Sequence, residues 1–155
     1  MSSGNKRVGI FVATMTGLAE VCGEEIETAL VAAGCNCARQ LMDGLDASAF
    51  DGFDLIVIVS STYGQGDIPD NGQVFFKAVE DGASLAGKQF AVFGLGDMTY
   101  AATFCAAGEQ WDALLAAKGA SRLVALERHN AAGGTLAEDV AAEWAASWAS
   151  LVSAP

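Results

Sequence analysis

The residues best suited to chemistry in this chain are two threonines and a glycine in the run Thr14-Met15-Thr16-Gly17-Leu18-Ala19. They follow a short apolar run, Val8-Gly9-Ile10-Phe11-Val12-Ala13, and precede an amphipathic run that opens near Glu20. Read physically, a strand ends in hydroxyl side chains and then opens into a helix. The first turn of a helix leaves backbone N–H groups unpaired and turns the positive end of the peptide dipole outward. Hydroxyls beside those groups, with Gly17 free of a β-carbon, make a concave cradle for a phosphate. The run holds no lysine. An anion here is therefore gripped by amides and hydroxyls, which disfavours a P-loop, since that loop ends in Gly-Lys-Ser/Thr. An ordinary helix N-cap accounts for the same residues, because Ser and Thr are usual caps. The rest of the chain has to separate the two.

Two further segments carry aromatic residues between glycines. One is Ser60-Ser61-Thr62-Tyr63-Gly64-Gln65-Gly66-Asp67-Ile68-Pro69-Asp70-Asn71, the other Gly94-Leu95-Gly96-Asp97-Met98-Thr99-Tyr100. Rings on neighbouring loops, above a phosphate cradle, can enclose a planar ligand with a phosphate tail. Taken singly, each tyrosine reads equally as a surface residue. Gly94-Leu95-Gly96 is a weak sign alone, lacking the third glycine of the dinucleotide fingerprint and following the fourth strand rather than the first. No acid, base or nucleophile constellation accompanies these loops. His129, the only histidine, reads as a solvent-exposed or capping residue.

The four cysteines, Cys22, Cys35, Cys37 and Cys105, form no C-x-x-C pair. Cys35 and Cys37 would point the same way on a strand but lack further ligands, so a metal is set aside and reduced thiols in a cytoplasmic protein are expected. Net charge is −11, from 8 basic and 19 acidic residues. Such a surface repels phosphate backbones and anionic lipid, making nucleic acid and membrane poor partners. It suits docking onto basic patches of other proteins, and equally serves solubility. Lys6 and Arg7 precede an apolar run, but Thr14 and Thr16 end it without a cleavage pattern, so no signal peptide is expected.

The elements that must position these loops alternate. After the first strand, 19–33 reads as a helix with Cys22, Ile26 and Leu30 on one face, ended by Gly34. Residues 35–42 form a weak second strand, and Leu55-Ile56-Val57-Ile58-Val59 a clear third, buried on both faces. A helix opens at Val74. Phe90-Ala91-Val92-Phe93 is the fourth strand, followed by a helix over 104–118 with Trp111, Leu114 and Leu115 inward and Gly119 at its end. Leu123-Val124-Ala125-Leu126 reads as the fifth strand. The last helix carries Leu136, Val140, Trp144, Trp148 and Val152 at four-residue spacing as a core stripe. Five β–α units in a row predict one α/β domain over 1–155 with a doubly wound parallel sheet, whose ligands bind at the carboxyl ends of the strands.

These residues resemble the flavodoxin family. Thr14-Met15-Thr16-Gly17 is similar to its phosphate loop. Ser61-Thr62-Tyr63-Gly64-Gln65-Gly66-Asp67 and Gly94-Leu95-Gly96-Asp97 with Tyr100 are similar to its two flavin loops. The motifs are similar to those of MioC-type and YqcA-type flavodoxins and of the FMN domains of sulfite reductase and related diflavin reductases, over about Arg7 to Val152. The resemblance implies a flavodoxin-like three-layer sandwich with a five-stranded parallel sheet of order 2-1-3-4-5, short-chain, holding one FMN non-covalently. It implies that Thr14, Met15, Thr16, Gly17, Leu18 and Ala19 hold the phosphate and that Tyr63 and Tyr100 flank the flavin. Backbone of Gly64, Gln65, Leu95 and Gly96 would meet the polar edge of the ring, with Ser61, Thr62, Gly66, Asp97 and Phe104 completing the site. It departs at Leu18, where a polar residue is usual, and in the four-residue step from Tyr100 to Phe104.

The function implied is low-potential electron transfer, shuttling single electrons between an NADPH-linked reductase and acceptor enzymes. The chain would be an electron carrier rather than an enzyme, a cytoplasmic monomer whose partners are basic-faced redox proteins such as a flavodoxin/ferredoxin NADP reductase. An FMN module working beside a separate reductase chain is a variant of the same reading. A flavin enzyme reducing quinones or nitro compounds with NAD(P)H uses the same fold. The chain offers it no obvious second nucleotide pocket, and Tyr63 and Tyr100 would crowd the ring. A phosphorylated receiver module needs aspartates after the first strand, and Val12-Ala13-Thr14 supplies none.

Overall fold

Strand β1 (Arg7–Ala13) sends its side chains alternately into two separate cores. Val8, Ile10 and Val12 enter one; Phe11 and Ala13 enter the other. Strands β3 (Leu55–Ser60) and β4 (Gln89–Gly96) repeat the alternation, with Leu55, Val57, Val59, Ala91, Phe93 and Leu95 on the first side and Ile56, Ile58, Phe90 and Val92 on the second. An unbroken aliphatic run satisfies its side chains only when both faces of a parallel sheet are covered. This is the arrangement in the computed structural model, which describes residues 7–14, 17–62, 68–82, 84–96, 105–130 and 133–153.

Helices α1 (Leu18–Ala32) and α4 (Ala137–Ser153) cover the first face, and α2 (Asp70–Glu80) and α3 (Ala106–Ala117) the second. All strand pairs are parallel, in the order β2 (Asn36–Leu41), β1, β3, β4, with β5 (Ser121–Arg122) and β6 (Glu127–Asn130) both on the outer edge of β4. The predicted sandwich and strand order are therefore present. Gly34 ends α1 as its position implied. At φ 94° it takes a left-handed turn, and the N–H groups of Gly34 and Cys35 return to the carbonyls of Val31 and Leu30. Strand β2 is a weak strand former because it is an edge. Arg39 ties it to α1, its Nε donating to Glu27 at 2.9 Å with Glu20 and Glu24 each 3.8 Å away.

Four expectations are corrected. The fifth strand is not 123–126. Those four residues face only Ala91 and Val92 of β4, and the paired segments are the polar ones on either side, β5 and β6. The surplus residues let Leu123 and Val124, neighbours in sequence, both pack on the α1/α4 core while Leu126 packs on the other. The five β–α units are four, because β2 and β3 are joined through a single 3₁₀ turn, Ala47–Phe50, whose Phe50 fills the core a helix would otherwise fill. Helix α2 begins at Asp70, not Val74, with Pro69 at its N-cap and Asp70 favourably placed against the helix dipole. Leu136 precedes α4 and is 61% exposed; the stripe runs instead through Ala137, Ala141, Trp144, Ala145, Trp148 and Val152.

All four cysteines are free thiols. Burial pushes Cys22, Cys37 and Cys105 from 9.0 up to about 12, with nearby Glu138 and Glu25 adding to the effect at Cys22. The unfolded chain ionises these thiols near 9.0 while the folded chain keeps them protonated. Stability is therefore complete below that value and falls as pH rises towards about 12. A urea midpoint measured at about pH 8 and again at about pH 10 should be lower at the second value. An unchanged midpoint would contradict it.

Candidate cofactor site

The register places the loops. Ala13 pairs with Ser60, and Ser60 with Gly94, so β1, β3 and β4 end level with one another. Between β1 and β3 the strand order reverses direction, and the loops leaving these ends frame a crevice of the kind in which open α/β sheets bind ligands.

Thr14 leaves β1 pinned at two points. Its N–H donates to Asn71 Oδ1 at 3.0 Å, and its Oγ1 accepts the Gly17 N–H at 2.9 Å. The hydroxyl proton of Thr14 stays available as a donor. Gly17 caps α1 at φ 94°, ψ −11°, and a β-carbon there would meet nothing within 4 Å, so the loop is open on that side. The first bond of α1 runs from the Val21 N–H to the Gly17 carbonyl at 3.1 Å. Among the described residues the N–H groups of Leu18, Ala19 and Glu20 find no partner. Leu18 is 38% exposed and Ala19 buried, so each can offer a ligand only its backbone. The donors are amides and a hydroxyl, and the Glu20 carboxylate lies towards Arg39. That set fits a phosphate monoester.

After β3, the Ser61 N–H donates to the Ala13 carbonyl at 3.0 Å, extending the ladder by one rung. Thr62 Oγ1 accepts the Ala107 N–H at 3.3 Å, anchoring the start of α3. Pairing of β4 with β3 stops at Gly94 but with β6 continues through Gly96, so Leu95 and Gly96 border the crevice on their β3 side. Behind them α3 approaches closely: a β-carbon on Gly108 would lie 3.0 Å from Gly94 Cα. Thr14, Gly17, Leu18, Ala19, Ser61, Thr62, Leu95 and Gly96 thus gather at one edge. Met15, Thr16, Tyr63, Gly64, Gln65, Gly66, Asp97, Tyr100 and Phe104 lie outside the described residues.

Two residues matter here to which the sequence assigned no role in the site, Asn71 and Cys105, and a third, His129, is placed otherwise than its sequence context suggests. Asn71 reaches the cradle from α2, as above. Cys105 holds a left-handed conformation, φ 56°, at the start of α3, with Sγ 3.5 Å from the Gly94 carbonyl oxygen and 3.6 Å from that of His129. His129 is not exposed, which corrects its reading. It lies within β6 opposite Leu95 at 5% exposure, Nε2 3.2 Å from Thr135 Oγ1 and Nδ1 buried with no partner among the described residues. A lone histidine in the polar run Glu127-Arg128-His129-Asn130 gives no sign of that burial.

A doubly wound parallel sheet with an amide-and-hydroxyl cradle at its switch point defines the class of mononucleotide-binding, flavodoxin-like proteins. The comparisons agree, since the family model described as Flavodoxin matches residues 10–144, and the chain belongs to the flavodoxin family. The family's cofactor is FMN. Flavodoxin YqcA of Escherichia coli K12 is 32% identical, over 94% of this chain and 98% of that protein. A structure of the C101A mutant of flavodoxin from Pseudomonas aeruginosa superposes with a TM-score of 0.86 at 29% identity, covering 94% of this chain and 98% of that one. Pyruvate dehydrogenase [NADP(+)] of Cryptosporidium parvum is 30% identical over 94% of this chain, which spans only 8% of that protein's length.

Proposed function

We propose that this chain is an electron carrier that moves single electrons on one FMN between an NADPH-linked reductase and acceptor enzymes. The observation that carries the reading is the cradle at the level ends of β1, β3 and β4, with Thr14 pinned twice and the first-turn amides open. Bound FMN supplies redox chemistry in one- and two-electron steps, and the protein sets what it meets. In this reading Thr14 to Ala19 grip the phosphate. Tyr63 and Tyr100 cover the ring, and Ser61, Thr62, Gly64, Gln65, Gly66, Leu95, Gly96, Asp97 and Phe104 complete its surroundings within one domain.

Charge supports the choice of partner. Arg7, Lys77, Lys88, Lys118 and Arg122 all sit at the edge opposite the crevice, near strand starts or helix ends. Among the described cations only Arg39 and Arg128 lie nearer the crevice, and both face carboxylates, Arg39 on α1 and Arg128 against Glu109 at 3.0 Å. The crevice edge thus carries no unpaired described cation on a molecule of net charge −11, which suits docking of basic-faced redox proteins there. In this reading the chain works as a monomer. Free thiols suit the cytoplasm, and no helix among the described residues is long and apolar enough to cross a membrane.

The test is to reduce the FMN-loaded chain with dithionite and mix it with a basic one-electron haem acceptor. Electron transfer should be rapid and should slow as salt is added, while NADPH alone leaves the flavin oxidised. Rapid bleaching by NADPH alone would overturn the reading in favour of a quinone or nitro-compound reductase.

A further inference from the structure

Asn71, the second residue of α2, lies 57 positions from Thr14 in sequence and beside it in space. Its Oδ1 accepts the Thr14 N–H at 3.0 Å. Its Nδ2 donates to Asp43 Oδ1 at 3.0 Å and to the Val12 carbonyl at 3.4 Å. An amide has one accepting and one donating end, and a carboxylate only accepts. Asp43 therefore decides which end of Asn71 faces Thr14. The reach is possible because α2 presses onto the end of β1 at Gly72, where a β-carbon would lie 2.9 Å from Ile68 Cγ2 and 3.0 Å from Ala13 Cβ.

We propose that Asn71, oriented by Asp43, is a positioning residue of the phosphate cradle, fixing Thr14 and through it the direction of the α1 amides. The inference rests on the FMN reading above. Asn71 touches no ligand itself in this role. It holds the Thr14 backbone, whose hydroxyl oxygen holds the Gly17 N–H. Without it the turn between β1 and α1 loses its outer anchor, and the phosphate donors no longer converge. The flavin ring would be bound by other loops. The loss should therefore fall on the phosphate part of the affinity.

The experiment titrates the full chain, stripped of cofactor, with FMN and with riboflavin, following flavin fluorescence. Asn71→Ala should weaken FMN binding about tenfold through the lost anchoring hydrogen bonds. Riboflavin affinity should stay within about twofold. Asn71→Ser, too short to reach Thr14, should behave alike and serves if the alanine variant folds poorly. Asp43→Ala also removes a negative charge, so it is measured in the native and in the N71A backgrounds. Its effect on FMN affinity should differ between them, because Asp43 acts through Asn71. Wild-type FMN affinity in N71A and N71S, or equal losses for FMN and riboflavin, would overturn the proposal. Equal effects of D43A in both backgrounds would overturn the orienting role of Asp43. Failure of the electron-carrier reading looks different: the unaltered chain would then take up no FMN.

Discussion

Replacing Trp111 by alanine is expected to destabilise the chain by about 3–5 kcal/mol, a large part of the margin of a domain this size. Trp111 is fully buried on α3, where it meets Phe76 edge-on at 4.9 Å and Phe75 at 5.6 Å. Phe75 in turn packs on Phe50 and Phe11, so one indole props up α3, α2 and the 3₁₀ turn against β1. Deleting it opens a cavity beside Phe75 and Phe76, the two rings it touches. The melting midpoint should fall by roughly 10 °C, measured on the cofactor-free chain so that ligand binding does not mask the loss. Trp111→Phe should cost much less. It keeps a ring in place and removes a buried indole N–H that has no partner among the described residues. A phenylalanine variant as unstable as the alanine one would show that the particular indole contacts, and not ring volume, govern the site.

Gly17→Val should weaken FMN binding about tenfold or more through strain at the helix start. At φ 94° a branched residue costs about 1–2 kcal/mol in backbone energy, and the open space around a β-carbon there offers no packing in return. The residue escapes the strain only by rotating to negative φ. That breaks the Gly17 N–H bond to Thr14 Oγ1 and the Val21 bond to the Gly17 carbonyl, and turns the open amides away from the crevice. Either course falls on the phosphate. Fluorescence titration should therefore show FMN affinity dropping while riboflavin affinity barely moves. Parallel losses for both ligands would mean that the substitution disturbs the fold and not the cradle.

Much of this was legible in the chain because burial leaves a pattern. β1 and β3 are apolar on both faces and announce themselves, and Gly34 marks the end of α1 because only a left-handed residue fits there. The cradle was legible for a similar reason: Thr14 and Gly17 bracket the step from strand to helix. The outer edge was not. Leu123 to Leu126 form the most apolar stretch of their region, yet their side chains pack into both cores from an irregular segment, while the hydrogen-bonded strands beside them are polar. Pro69-Asp70-Asn71-Gly72 reads as a turn, which concealed the first turn of α2. Leu136 kept the four-residue spacing but fell one position outside the helix. Asn71 had no local signal at all, since its partners are Val12, Thr14 and Asp43.

The most direct test of a phosphate held by amides is the ³¹P resonance of FMN bound to the chain. A dianion gripped by hydrogen-bond donors resists protonation, so the bound signal should stay fixed through the phosphate's ordinary pKa of about 6 while free FMN shifts. A bound signal that titrates like free FMN would place the phosphate in open solvent and contradict the account.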